Sequence, residues 1–97
     1  MKSPVYQLSI DAAFEAFDDG GLILNLKDIT FTELNITARD IVQATDGKKS
    51  LDEVAEVIAG EYEIDLEVAR ADVKELYDDL KKQGIIERLN TKETEEG

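Results

Sequence analysis

The chain has 97 residues, 11 of them basic and 23 acidic, for a net charge of −12, and it contains no Cys, His or Trp. Without Cys and His it cannot build the usual zinc site, an iron–sulfur cluster, a thiol nucleophile or histidine acid–base machinery. Its acidity opposes nucleic-acid backbones and anionic membrane surfaces, which are gripped by clustered Lys and Arg.

A hydrophobic fraction of 42 % is enough for a folded core. The sequence predicts one α+β domain over residues 1–89 and a frayed polar tail over residues 90–97. No disulfide is available, Met1–Tyr6 lacks a signal-like apolar core, and no apolar run approaches the ~18 residues of a membrane span. A cytoplasmic address is therefore the expectation.

In chain order, Asp18-Asp19-Gly20-Gly21 between Phe14–Phe17 and Leu22–Leu26 reads as a hairpin, because glycine supplies the backbone freedom of a tight turn. Leu22, Leu24 and Leu26 alternate with Ile23, Asn25 and Lys27, which predicts a strand with one apolar face. Alternation resumes from Ile29, so a third antiparallel strand is expected there, leaving at least one edge of backbone groups unpaired.

Helical spacing begins near Leu34, with Asn35 or Thr37 as cap and Ile36, Ile41, Val42 and Thr45 as an apolar stripe, and Asp46-Gly47 ends it. Ser50-Leu51-Asp52-Glu53 is a capping box opening a second helix, whose Leu51, Val54, Ala55, Ile58 and Tyr62 share a face. Asp65 is the expected cap of a third helix carrying Leu66, Ala69, Val73, Leu76, Tyr77 and Leu80, which Gly84 terminates. Ile85-Ile86 adds a last apolar contact or short strand. A three-stranded antiparallel sheet followed by three helices is a winged-helix-like arrangement.

Candidate chemistry is sparse. Asp18-Asp19, Asp78-Asp79 and Glu95-Glu96 are adjacent carboxylates that composition alone produces, and none has a helper group. Asp46-Gly47-Lys48-Lys49 lacks the alternating ligands of a calcium loop, and Gly20-Gly21 has no following Gly-Lys to cradle phosphate. A DNA-reading winged helix is one alternative, opposed by Glu53, Glu56, Asp65 and Glu67 at the helix openings. A protein–protein adaptor without a peptide substrate is another.

The pattern points more directly to a groove. An exposed sheet edge beside an amphipathic helix can take an extended peptide as an added strand. That places the third strand, Ile29 to Glu33, against Val73, Leu76, Tyr77 and Leu80 of the third helix. Tyr77, with its amphipathic ring, and the edge threonines Thr30 and Thr32 are the better site candidates. Phe31, Val73, Leu76 and Leu80 have spacings that more often mark core than site.

The segment Leu34 to Ile41, with Asp46-Gly47, Ser50 to Val54, Tyr62, Asp72-Val73, Leu80 and Gly84-Ile85-Ile86, resembles the PqqD family of coenzyme PQQ synthesis protein D-like proteins. The resemblance covers about Phe14 to Leu89. It implies a non-enzymatic, cofactor-free recognition element for ribosomally made precursor peptides. Such a module holds the peptide's leader and presents it to a modifying enzyme, typically a radical S-adenosylmethionine enzyme. It also implies strand addition at Thr30, Phe31, Thr32, Glu33 and Leu34, with Val73, Leu76, Tyr77 and Leu80 behind. In quinone-cofactor synthesis the closing glycine is often followed by Trp, whereas Ile85 follows Gly84 here, so the pathway stays open between PQQ and another ribosomally made peptide. The net charge predicts a leader bearing Lys or Arg, bound more slowly as salt rises.

Overall fold

The structure is a computed structural model that describes residues 3–89, so the expected tail at 90–97 lies outside the described residues. Its elements in chain order are β1 (Tyr6–Leu8), β2 (Ala12–Phe17), β3 (Gly20–Asn25), β4 (Thr30–Leu34), α1 (Ile36–Ala44), α2 (Leu51–Tyr62), α3 (Leu66–Lys82) and β5 (Ile86–Arg88).

Strands β2, β3 and β4 form an antiparallel sheet in that spatial order, joined first by the two-residue loop Asp18-Asp19. Gly20 is required there by close approach, since a Cβ at that position would collide with the Leu34 carbonyl oxygen. Register sets the faces. Ile23 lies opposite Phe14 and Thr32, and Asn25 lies opposite Ala12 and Thr30. Gly21, Ile23 and Asn25 are buried toward the helices, whereas Leu22 and Leu24 are half-buried on the outer face and Leu26 is exposed. This corrects the expectation that Leu22, Leu24 and Leu26 supply the main apolar face, and a one-residue difference in register is enough to exchange faces.

A second sheet pairs β1 with β5 antiparallel, Tyr6 opposite Arg88 and Leu8 opposite Ile86. Sequence pattern gave no sign of β1, because three residues pairing across almost the full chain show no usable alternation. The Ser9 N–H donates to the Ile85 carbonyl at 2.7 Å, Leu89 N–H to Val5 at 2.8 Å and Leu51 N–H to Pro4 at 2.8 Å, so the N-terminal segment is stitched to the start of α2 and to the chain beyond α3.

The caps follow the sequence with one exception. The Asn35 side chain accepts from Ala38 N–H at 2.8 Å, and Ser50 with Glu53 forms both bonds of the capping box. Asp65 sits at the N-cap of α3 with extended backbone but makes no side-chain cap bond. Gly84, at φ 74°, supplies the left-handed residue beyond α3.

The core lies between the first sheet and the helices. Ile23 and Leu34 meet Ile41 and Val42 of α1, Val54 and Ile58 of α2, and Ala69, Val73, Tyr77 and Leu80 of α3. Ile36, expected in the α1 stripe, is 44 % exposed because it lies in the helix's first turn, ahead of the residues that meet the core. Among the described residues, no helix is long and apolar enough to cross a membrane.

Candidate functional site

Strand β4 is the edge of its sheet, and no described strand pairs with its outer side. Alternate residues of such an edge direct N–H and C=O groups outward, ready for another chain. Thr30, Thr32 and Leu34 turn toward the helices with their buried partners Asn25, Ile23 and Gly21, while Phe31 and Glu33 are exposed on the opposite face, which corrects the expectation of Phe31 as a core residue. The Thr32 hydroxyl donates to Gln83 Oε1 at 2.6 Å, and Asn25 Nδ2 donates to the Gln83 carbonyl at 3.1 Å. These bonds hold the C-terminal end of α3 against the sheet beside β4. Ile29 precedes the strand rather than belonging to it, and its φ of 56° is a left-handed conformation that a β-branched residue seldom adopts.

Helix α3 presents two stripes. Val73, Tyr77 and Leu80 face inward and are fully packed, so as core residues they do not line a groove. This corrects the reading of Tyr77 as an accessible amphipathic contact. It is 2 % exposed, its ring meets that of Tyr6 edge-on at 4.7 Å between centroids, and its hydroxyl pairs with the Thr45 hydroxyl at 2.6 Å. Burial pushes the Tyr77 phenol up to about 12, with the Thr45 hydrogen bond acting in the opposite direction. Of the four α3 residues singled out from the sequence, only Leu76 reaches the open side.

On that side, α3 and the beginning of α1 enclose an open cleft of about 710 Å³. Asn35, Thr37, Ala38 and Ile41 form one wall. Asp72, Glu75, Leu76, Asp78, Asp79 and Lys82 form the other. Asn35 immediately follows β4, and Gln83, which holds Thr32, immediately follows Lys82, so the cleft borders the open strand. Ala38 and Leu76 give apolar contact over the buried Ile41, and among the described residues four carboxylates face one ammonium. Lys74 pairs with Asp78 at 3.2 Å, but among the described residues Asp72, Glu75 and Asp79 have no basic group within 4.0 Å. The wall residues other than Leu76 were missed from the sequence. Their signal was a second helical stripe, Asp72, Glu75, Asp79 and Lys82, beside the apolar one.

The α1 wall is held firmly. Arg39 Nη1 donates to the Phe17 carbonyl at 2.6 Å and to that of Asp18 at 3.0 Å, fixing the hairpin tip to the helix. The Asp40 carboxylate accepts the Tyr62 hydroxyl and, at 2.9 Å, Arg39 Nε. Partial burial raises the Asp40 carboxyl, but those two hydrogen bonds outweigh it and hold the group below its ordinary range. The cleft thus offers apolar contact and charge, and the open strand bordering it offers backbone pairing.

Comparison with known proteins identifies the family and the fold. The family model described as Coenzyme PQQ synthesis protein D (PqqD) matches residues 20–86. Among solved structures, lasso peptide synthetase B1 complexed with its leader peptide is 28 % identical, with a TM-score of 0.74 over 84 % of this chain and 96 % of that one. TbiB1 in complex with the TbiA(beta) leader peptide is 21 % identical, with a TM-score of 0.76 over 84 % and 94 % of the two chains. The PqqD truncation of Methylobacterium extorquens PqqCD, a RiPP recognition element solved by NMR in solution, is 17 % identical, with a TM-score of 0.74 over 87 % and 89 %. No curated protein matches the sequence.

Proposed function

The chain belongs to the PqqD family, and from that premise we propose that it captures the leader of a ribosomally synthesised precursor peptide and presents it to a peptide-modifying enzyme. Radical S-adenosylmethionine enzymes are the partner class first expected, and lasso peptide synthesis is a second setting suggested by the leader-bound neighbour at 28 % identity. The chain contributes binding, and the chemistry belongs to its partner.

One observation carries the proposal: an unpaired strand edge, β4, borders an open cleft in a fold shared with leader-bound proteins. A leader added along β4 gains backbone hydrogen bonds for affinity and sends alternate side chains toward α3 for specificity. Thr30, Phe31, Thr32, Glu33 and Leu34 are proposed to supply the pairing edge, with Leu76 as the apolar contact from α3. Ile29 would mark the start of the edge. DNA recognition finds no support in a cleft lined by four acids.

The test is proline substitution at two neighbours, Phe31→Pro and Thr32→Pro. One of these N–H groups points into the sheet and the other outward. The variant that keeps the fold, judged by circular dichroism and denaturation, is expected to lose peptide capture, because proline removes the outward donor. A folded variant at the outward position that binds as the original chain does would refute strand addition at β4.

A further inference from the structure

The acids of the cleft bear on which peptide it takes, provided that the strand-addition proposal above holds. Asp72, Glu75 and Asp79 recur at helical spacing along one side of α3, with Leu76 between them and Ala38 and Ile41 across the cleft. Asp72, Glu75 and Asp79 have no basic partner among the described residues, so their charges remain available to an occupant. They are also spread out. No group of three or more acidic side chains among the described residues is gathered closely enough to hold a metal ion. A string of separated charges suits the spaced cations of a polymer better than a single ion.

Dimensions agree with an extended peptide. Asp72 and Asp79 are seven residues apart, about 10 Å along a helix. A strand running along the cleft repeats same-side groups about every 6.6 Å, so roughly two of its inward side chains would face the stripe. Apolar contact and backbone pairing favour a β-strand, and the carboxylates favour cationic side chains on it. We propose that Asp72, Glu75 and Asp79 make this cleft select leader segments bearing Lys or Arg at alternate, cleft-facing positions. Lys82, the one basic residue of the walls among the described residues, opposes that selection at its end of the cleft.

The experiment uses the full chain and a display library of random linear peptides, followed by affinity measurement with synthetic copies of the selected peptides. Lys and Arg should be enriched at alternate positions, and replacing them by Gln should weaken binding about tenfold, as several partly exposed ion pairs together would give. In the Asp72→Asn, Glu75→Gln, Asp79→Asn variant the preference for the basic peptide over its Gln copy should fall to near unity. Lys82→Gln should strengthen binding of the basic peptide about twofold, an effect of opposite sign that a packing defect would not produce.

Selected peptides without basic enrichment, or a preference unchanged in the triple variant, would overturn the charge selection and leave strand addition standing. Capture that survives the β4 proline substitution would instead overturn strand addition, whatever the peptide's charge. Failure to enrich any peptide would overturn both.

Discussion

Along α3, Leu76 and Tyr77 are adjacent in sequence and lie on different sides of the molecule. Tyr77 belongs to the stripe with Val73 and Leu80, which is buried in the core where α3 packs on α2 and β5, while Leu76 belongs to the stripe with Asp72, Glu75 and Asp79, which opens on the cleft. The helix thus divides two tasks by angle. One side holds the domain together, and the other is left rich in charge and short of partners beside an unpaired strand. Substitutions on the two stripes should therefore separate stability from binding.

Leu80→Ala should have the largest effect on stability, a loss of about 2–5 kcal/mol from a fully buried site. Against a total of roughly 5–15 kcal/mol that is a large share of the stability, as chemical denaturation would show. A loss below 1 kcal/mol would mean that the inward stripe is not the core.

Tyr77→Phe should cost about 1 kcal/mol, since the Thr45 hydroxyl keeps its 2.7 Å bond to the Ile41 carbonyl when the phenol is removed. The same substitution has a pH signature. With the folded phenol raised to about 12 and an unfolded tyrosine near 10, the stabilisation is complete below about pH 10 and is lost as pH rises toward 12. Denaturation across that range should show a steeper alkaline decline in the original chain than in Tyr77→Phe.

Leu76→Ala should cost under about 1 kcal/mol of stability, because the side chain is only half-buried, yet weaken peptide capture severalfold. Equal affinity in this variant would remove Leu76 from the binding surface. Asp79→Asn is the smallest expected change, within about 0.5 kcal/mol in stability, and it would show whether the outer stripe is neutral to folding.

Much of the fold was legible in local chemistry. The Asp-Asp-Gly-Gly turn, the Ser50–Glu53 capping box and the apolar spacing of α2 and α3 each involve residues within a few positions of one another, where sequence pattern is most informative. The β1–β5 pairing was not, because its stabilisation comes from contacts between the two ends of the chain, such as Gln7 with Glu87 and Val5 with Leu89. The candidate site was half legible. Alternation exposed the β4 edge, but amphipathic chemistry suggested Tyr77, whose position on the inward stripe outweighs its polar tip. The acids of the cleft were masked by composition. In a chain with 23 acids, Asp78-Asp79 looks like any surface pair until the opposite wall is known.

The most direct test is a backbone amide NMR titration of the full chain with the tightest peptide recovered from the library, combined with hydrogen exchange. Strand addition predicts shifts confined to Thr30–Leu34, the start of α1 and the outer stripe of α3, with new protection of the outward amides of β4. Shifts centred on β1, β5 or the far side of α2, with β4 amides as exchangeable as before, would contradict it.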